Sequence, residues 1–238
     1  MTIYSLKLLF KKEVAKKTTA FFFEKPTAIP QRIINDSAEP STSKGFKFVP
    51  GQFVEIHLGK NPIYSFSIAS APKEKELMIA TRIRPSPFKK ALKKLKIGGT
   101  VKINGPYGQF VLHRNKKIPA VFLAGGIGIT PFRSMIKNFP SRKITLFYSN
   151  RRTKDAAFLE ELKKLENKNF KLILVMTKEN RKHISPKMLK DNMKDWRKAT
   201  YYAVGSTGFV QSMADMLAKM KIKSENIKPA NFTGYLQR

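Results

Sequence analysis

Residues 124–131, Ala-Gly-Gly-Ile-Gly-Ile-Thr-Pro, place three glycines where an apolar run, 118–123, hands over to a segment with helical apolar spacing at Phe132, Met135 and Ile136. Glycine has no Cβ. Gly125, Gly126 and Gly128 therefore let a bulky anion approach the backbone, and the following helix turns its unpaired N–H groups towards it. The pyrophosphate of a dinucleotide suits such a turn. Thr130 and Pro131 close it, with Thr130 also readable as a plain helix N-cap. A glycine turn can equally be steric, easing a tight strand-to-helix junction, so its surroundings decide. Residue types exclude other chemistries. The chain holds no cysteine and only three histidines, His57, His113 and His183, none sharing a helical turn. Disulfides, thiolate nucleophiles, cysteine-ligated zinc and cysteine-held iron–sulfur clusters are excluded within it, and no metal site is expected.

The elements that must position this turn fall into two halves with different periods. In the first, short alternating runs recur at 3–10, 18–24, 53–58, 64–69, 77–84, 101–104 and 110–112, with turn residues between them. That spacing predicts an antiparallel barrel. Residues 26–44, rich in Pro, Ser and Asn, read as an exposed loop. One helix interrupts the strands: Ser86 is its N-cap, Pro87 its first residue, and Phe88, Ala91, Leu92 and Leu95 its apolar face. In the second half, strand-like runs at 120–123, 144–148, 171–176 and 201–204 alternate with helical segments at about 131–138, 154–165, 186–193 and 208–220. This alternation predicts an α/β, doubly wound parallel sheet. Asn115-Lys116-Lys117 marks the boundary, giving domains 1–115 and 116–238.

A chain of 238 residues with 42% hydrophobic content can bury a proper core. No apolar run approaches the roughly 18 to 20 residues of a membrane helix, and the first residues lack a signal-peptide core, so a soluble cytoplasmic protein is expected. The formal net charge is +31. Nucleic-acid binding, docking to acidic proteins or anionic membranes, and a lysine-rich source proteome all fit such a balance. The cations run the whole length, as at Lys11-Lys12, Lys89-Lys90, Arg151-Arg152 and Lys219, Lys221 and Lys223, and no nucleic-acid motif accompanies them.

An ordered series of segments narrows the choice. Phe48-Val49-Pro50-Gly51-Gln52-Phe53 comes first, then Phe66-Ser67-Ile68-Ala69-Ser70-Ala71-Pro72, then Gly105-Pro106-Tyr107-Gly108-Gln109-Phe110, then the glycine turn. Leu146-Phe147-Tyr148-Ser149-Asn150-Arg151 follows, with Asp155, Phe158, Glu161 and Leu162 behind it, then Gly205 opening a helix after a strand. Over nearly the whole chain this order resembles the ferredoxin–NADP reductase superfamily. The resemblance implies two domains: a flavin-binding antiparallel β-barrel, then a nicotinamide-nucleotide domain. In the family's first signature, Arg-x-Tyr/Phe-Ser/Thr, the aromatic packs on the isoalloxazine and the hydroxyl bonds near flavin N5. The Ile68-Ala69-Ser70 run fixes the register on Phe66-Ser67, so Tyr64 stands where the family keeps a phosphate-holding arginine. Arg82 and Arg84, just before the Ser86-capped helix, are the replacements at hand. Simpler readings compete: Phe66 as barrel core, Ser67 as a strand-face hydroxyl, Ser86 as a cap alone.

The same resemblance assigns Gly125, Gly126, Ile127, Gly128, Thr130 and Pro131 to the dinucleotide, with Thr130 beside the nicotinamide and Gly205 letting the backbone pass close to it. Tyr235, in the family-like tail 231–235, joins the cofactor-binding set. Thr177 and Lys178, at the end of the third strand of the nucleotide domain, match the hydroxyl and cation of NADP-specific relatives, where NAD-specific ones favour an acid. Where most members carry cysteine before the last glycine this chain has Val204, and Ser206 where proline is common, so no thiol assists hydride transfer. The implied cofactors are FAD, with FMN the alternative given Tyr64, and NADPH, with NADH the alternative. The implied activity is an NAD(P)H-dependent flavoprotein reductase, a monomer with Ser67 and Thr130 at its catalytic centre. It would pass electrons singly to a separate acidic ferredoxin or flavodoxin and bind no nucleic acid. Reduction of ferric chelates or free flavin is the alternative in the same chemistry. From another class, the alternative is a basic nucleic-acid or membrane-surface protein on a degenerate flavin scaffold.

Overall fold

The computed structural model describes residues 3–25 and 46–231, so the expected loop at 26–44 and Tyr235 lie outside the described residues. The first half forms β1 (Ile3–Ala15), β2 (Thr18–Phe23), β3 (Phe53–His57), β4 (Tyr64–Ser67) and β5 (Leu77–Arg82), then helix α1 (Pro87–Lys94) and β6 (Thr100–Tyr107). These strands curl into one antiparallel sheet in the order β4-β3-β6-β1-β2-β5. β1 spans both halves of the sheet, pairing with β6 over residues 3–7 and with β2 over 8–15. The sheet's two edges approach beyond β4, where Ala69 N–H donates to the Met78 carbonyl at 2.7 Å and Met78 N–H donates to Ser70 Oγ at 2.9 Å. The alternation of β1 to β6 turns Leu8, Phe21, Phe23, Val54, Ile56 and Ile103 inward, and α1 adds Phe88 and Leu92 to that cluster. The result is a half-barrel with a filled interior.

The second half forms β7 (Ala120–Gly125), α2 (Ile129–Asn138), β8 (Ile144–Asn150), α3 (Leu159–Lys164), β9 (Phe170–Met176), α4 (Pro186–Asn192), β10 (Thr200–Gly205), α5 (Thr207–Lys219) and β11 (Ile227–Asn231). All five strands run parallel, in the order β11-β10-β7-β8-β9. Connections leave β7 towards β8 on one side and return to β10 on the other. The carboxyl ends of β7 and β10 therefore frame the crevice where open α/β sheets take ligands.

Three elements differ from the sequence expectation. The run 110–112 alternates like a strand, yet Phe110 packs its ring on Phe132 and Tyr202, with centroids 6.0 and 5.6 Å away, and no ladder forms. The expected helix at 154–165 shortens to α3, because Phe158 adopts a left-handed φ of 60° and donates its N–H to the Val14 carbonyl of β1 at 3.3 Å. β11 was not expected, since Pro229 lies at its centre. As a sheet edge with one neighbour, it tolerates the missing donor.

One core cluster crosses the seam. Ala20, Ala69, Met78 and Ala80 of the half-barrel pack with Phe132, Met135 and Ile136 of α2. Among the described residues no helix is long and apolar enough to cross a membrane, and no group of three or more His, Asp or Glu could hold a metal ion.

Candidate functional site

The buried run Ala120 to Ala124 makes β7 the central strand, and its end delivers the glycine turn to the crevice. The three glycines there do different work. Gly126 has φ +56°, and a Cβ on it would meet nothing within 4 Å, so its face is open to a ligand. A Cβ on Gly128 would run into the Val204 carbonyl of β10. On Gly125 and Gly205 it would stand 2.8 and 2.7 Å from the Phe209 ring of α5. Those three positions are glycine because β7, β10 and α5 close on one another, whereas Gly126 alone is small on its open side. Thr130 is only 2% exposed, and its hydroxyl donates to the Ile127 carbonyl at 3.1 Å. The helix begins at Ile129, so Thr130 lies inside the first turn and does not cap it, against the N-cap reading. Pro131 is buried behind it.

On the half-barrel side, β4 alternates. Tyr64 and Phe66 face inward, and Ser65 and Ser67 face the other way. Phe66 keeps 8% of its surface exposed and joins an aromatic stack in which Tyr64 lies 4.3 Å from Phe88 and Phe66 lies 5.8 Å from it. Ser67 is half-buried on the opposite face. Ser86 accepts from Lys89 N–H at 3.1 Å as the cap of α1, and the first turn carries no acid. Burial, and then the nearby Arg84 charge, push the Lys89 ammonium below its ordinary value. Two cations at the positive end of a helix with no carboxylate in its first turn form a set that fits an anionic group such as a flavin diphosphate. Arg82 is engaged elsewhere: its guanidinium lies 3.7 Å from Asp155, across the seam.

The two halves of the site are locked by α2. Ser134 Oγ donates to the Ser70 carbonyl at 2.6 Å, and Arg133 donates to the Ala69 carbonyl at 2.8 Å. Arg133, 5% exposed, also forks onto Glu74 at 2.8 and 3.0 Å and onto Glu161 of α3 at 2.6 and 2.8 Å. Lys137 Nζ bridges the same two carboxylates at 2.8 and 3.0 Å. Burial alone would raise the Glu74 carboxyl, but hydrogen bonds from Arg133 and Lys137 override it and pull it down to about 2. Sequence reasoning missed Arg133 and Glu74. The available signal was an arginine between Phe132 and Met135 on an otherwise apolar helix face.

At the far end of the crevice, β8 and β9 stay zipped beyond their last ladder pair. Thr177 N–H donates to the Asn150 carbonyl and Lys178 N–H to that of Arg151, each at 2.9 Å. Lys178 thus comes beside Arg151, a cation the sequence reading had not assigned to a cofactor.

Taken together, fold and site define a two-domain protein with a dinucleotide-type crevice abutting a curled antiparallel sheet. Residues 122–215 match the family of oxidoreductase NAD-binding domains. Methane monooxygenase component C of Methylosinus trichosporium is 34% identical over 143 residues, which cover 56% of this chain and 42% of that protein. This chain thus spans under half of that relative's length. A ferredoxin NADP+ reductase from Neisseria gonorrhoeae, solved with FAD and NADP bound, shares the fold with a TM-score of 0.79 at 19% identity, covering 97% of this chain and 99% of that one. A flavohemoglobin from Malassezia yamatoensis, solved with FAD and heme, also gives 0.79 at 19% identity over 98% of this chain and 60% of that one. Over nearly its whole length the chain shares the two-domain fold of these two solved structures.

Proposed function

We propose that this protein is an NAD(P)H-dependent flavoprotein reductase that hands electrons one at a time to a separate carrier. The observation that carries this reading is the lock made by α2. One helix begins at the open glycine turn and fixes Ala69 and Ser70, two and three residues after Ser67. A nicotinamide platform and a flavin-facing strand are thereby held in one rigid unit, and hydride transfer depends on such fixed proximity. Bound flavin supplies the chemistry, accepting a hydride at N5 and releasing electrons singly. The chain's own groups bind and orient. The Gly126 face admits the dinucleotide, and Thr130, its hydroxyl tied to Ile127, shapes the floor beside it. Ser67 offers a hydroxyl on the outward face of β4, while Phe66 supports that strand from within. Arg84, Lys89 and the amino end of α1 hold flavin phosphate, so FAD is the assigned flavin. Thr177 and Lys178, joined by Arg151, hold a 2′-phosphate, which favours NADPH over NADH.

Similarity to the reductase components of propane 2-monooxygenase and terephthalate 1,2-dioxygenase supports transfer to a protein partner. The net charge of +31 suits an acidic one, which a positive field would steer towards the seam. Turnover with an acidic ferredoxin or flavodoxin, compared with a small neutral acceptor across a salt series, tests this. Carrier-dependent turnover is expected to fall steeply with salt while the neutral rate stays level, because exposed charges are screened beyond roughly 8 Å at physiological ionic strength. Parallel responses would remove the charge from electron transfer. Rapid turnover with ferric chelates or free flavin alone would favour that alternative.

A further inference from the structure

Exposed apolar side chains gather on one part of the half-barrel. Among the described residues five large hydrophobics are exposed, and three of them, Leu9, Phe10 and Ile97, lie on two segments joined through the backbone. Leu8 N–H donates to the Gly99 carbonyl at 2.9 Å, and Gly98 N–H donates to that of Leu8 at 2.8 Å. Leu9 is the extra residue of a bulge in the β1–β2 ladder, between the pairs Leu8–Phe23 and Phe10–Phe22. Phe10 keeps 42% of its surface exposed although its ring stacks on Phe22 at 4.2 Å. Ile97 is 61% exposed. It stands second in a four-residue turn closed by Gly99 N–H on the Lys96 carbonyl at 2.9 Å, with Gly98 third at a left-handed φ of 80°. Such a turn needs its glycine but asks nothing apolar of the residue before it. Folding alone gives no reason for an isoleucine at that apex.

Cations flank these three side chains. Lys11 and Lys12 follow Phe10 on β1, and Lys93, Lys94 and Lys96 lead from the end of α1 into the turn. Lys11 Nζ donates to the Lys93 carbonyl at 2.7 Å, which draws β1 and the end of α1 together. Among the described residues none of the five is in an ion pair, whereas Lys143, Lys163, Lys187 and Lys223 of the nucleotide domain each have a carboxylate beside them. Of the acids on the flanking strands, Glu13 accepts from Lys17 N–H, and Glu24 sits beside Lys7. The sequence has no acid between Glu76 and Asp155. The cation set that fits a flavin diphosphate is at the opposite, amino end of α1, so the two surfaces do not share groups.

We propose that this patch docks the protein on an anionic lipid surface, its lysines meeting headgroup phosphates while Ile97, Leu9 and Phe10 enter the boundary of the acyl chains. Lysines are drawn to the negative potential of such a surface, and apolar side chains beside them partition beneath it. Shape favours lipid over a folded partner. A turn apex and a strand bulge project outward, and a fluid interface accepts them without a matching pocket. A second copy of this chain would bring two lysine rims together, which like-charge repulsion opposes. The docking does not depend on the reductase chemistry proposed above; it adds a location to it.

The test is co-sedimentation of the full chain with phosphatidylcholine vesicles and with mixed phosphatidylcholine–phosphatidylglycerol vesicles, at low and high salt. Four forms are compared: the unaltered chain, Ile97→Ser, Lys93→Gln/Lys94→Gln/Lys96→Gln, and a Lys164→Gln/Lys168→Gln/Lys171→Gln control. The control removes the same charge from exposed positions elsewhere on the molecule. Circular dichroism confirms that each variant folds. The unaltered chain is expected to bind the anionic vesicles and not the neutral ones. The patch-lysine variant should bind roughly ten-fold or more weakly, Ile97→Ser roughly three-fold or more weakly, and the control within about two-fold of the unaltered chain. An Ile97→Trp variant should shift its emission to the blue on adding anionic vesicles, while the unaltered chain, whose Trp196 is already buried, should not. Equal losses in the patch-lysine variant and the control would reduce the binding to net charge and overturn the proposal. So would full binding by Ile97→Ser, or no vesicle binding by the unaltered chain. Binding of an acidic protein lost in the same variants, without vesicle binding, would give the patch to that partner and overturn the lipid assignment.

Discussion

Replacing Arg133 by Met keeps the side-chain stem and deletes the charge that holds the domains together. Glu74 and Glu161 would then face each other with Lys137, among the described residues, as their only bridging cation. Removing one partner from a buried ion pair costs about 3–5 kcal/mol. Here the two carboxylates keep 26% and 31% of their side-chain surface, and Lys137 stays, so the expected loss is about 2–3 kcal/mol. Urea unfolding followed through Trp196, the single tryptophan and a residue of the nucleotide-domain core, reads that loss. A triple Glu74→Gln/Arg133→Met/Glu161→Gln variant should recover at least half of it, because no carboxylate is then left uncompensated. The same network sets an acid dependence. Glu74 is held at about 2 against an ordinary value near 4.5, so its contribution is complete above pH 4.5 and is lost as pH falls from 4.5 to 2. At 1.36 kcal/mol per unit the ceiling is about 3 kcal/mol, and partial exposure brings it to about 1–2 kcal/mol. A Glu74→Gln variant should lack that part of the pH slope. A shift below about 0.5 kcal/mol for Arg133→Met, the size of an ordinary surface change, would refute the reasoning.

Gly126→Ala and Gly128→Ala should fail in different ways. The first loses about 1–2 kcal/mol from its left-handed φ and weakens dinucleotide binding, with flavin retained. The second drives a methyl into the Val204 carbonyl and should lower Tm markedly, taking all nucleotide-domain function with it; equal thermal shifts would contradict the distinction. Ser67→Ala should keep flavin but slow its reduction in stopped-flow measurements, and an unchanged rate removes that hydroxyl from the mechanism. Lys178→Asp should erode NADPH preference by roughly 1–3 kcal/mol, read as the ratio of kcat/KM for NADPH and NADH. A preference for NADH in the unaltered chain would show that assignment wrong.

Much of the fold was legible because its elements obey their local periods. β7 to β10 are apolar runs of strand length, and α1 carries its own start signals in Ser86 and Pro87. What escaped was decided by partners distant in sequence. Phe110 alternates correctly for a strand but packs on Tyr202, 92 positions further on, and Phe158 ends a helical pattern to bond with β1. The site shows the same division. The glycine turn announced itself, but which glycine faces open space depends on where β10 and Phe209 lie, and no local pattern contains that. Arg82 looked equivalent to Arg84 because they are two residues apart, and only the docking of Asp155 separates them. Arg133 was hidden because its meaning lies in Glu74 and Glu161, 59 and 28 positions away.

The most direct measurement is anaerobic mixing of the purified chain with NADPH and, separately, NADH, watching the flavin absorption in a stopped-flow spectrometer. The expected result is a yellow protein with one flavin per chain, bleached rapidly by the nicotinamide and recoloured when an electron acceptor is added. A chain that binds no flavin, or a bound flavin that neither nucleotide bleaches, would contradict it.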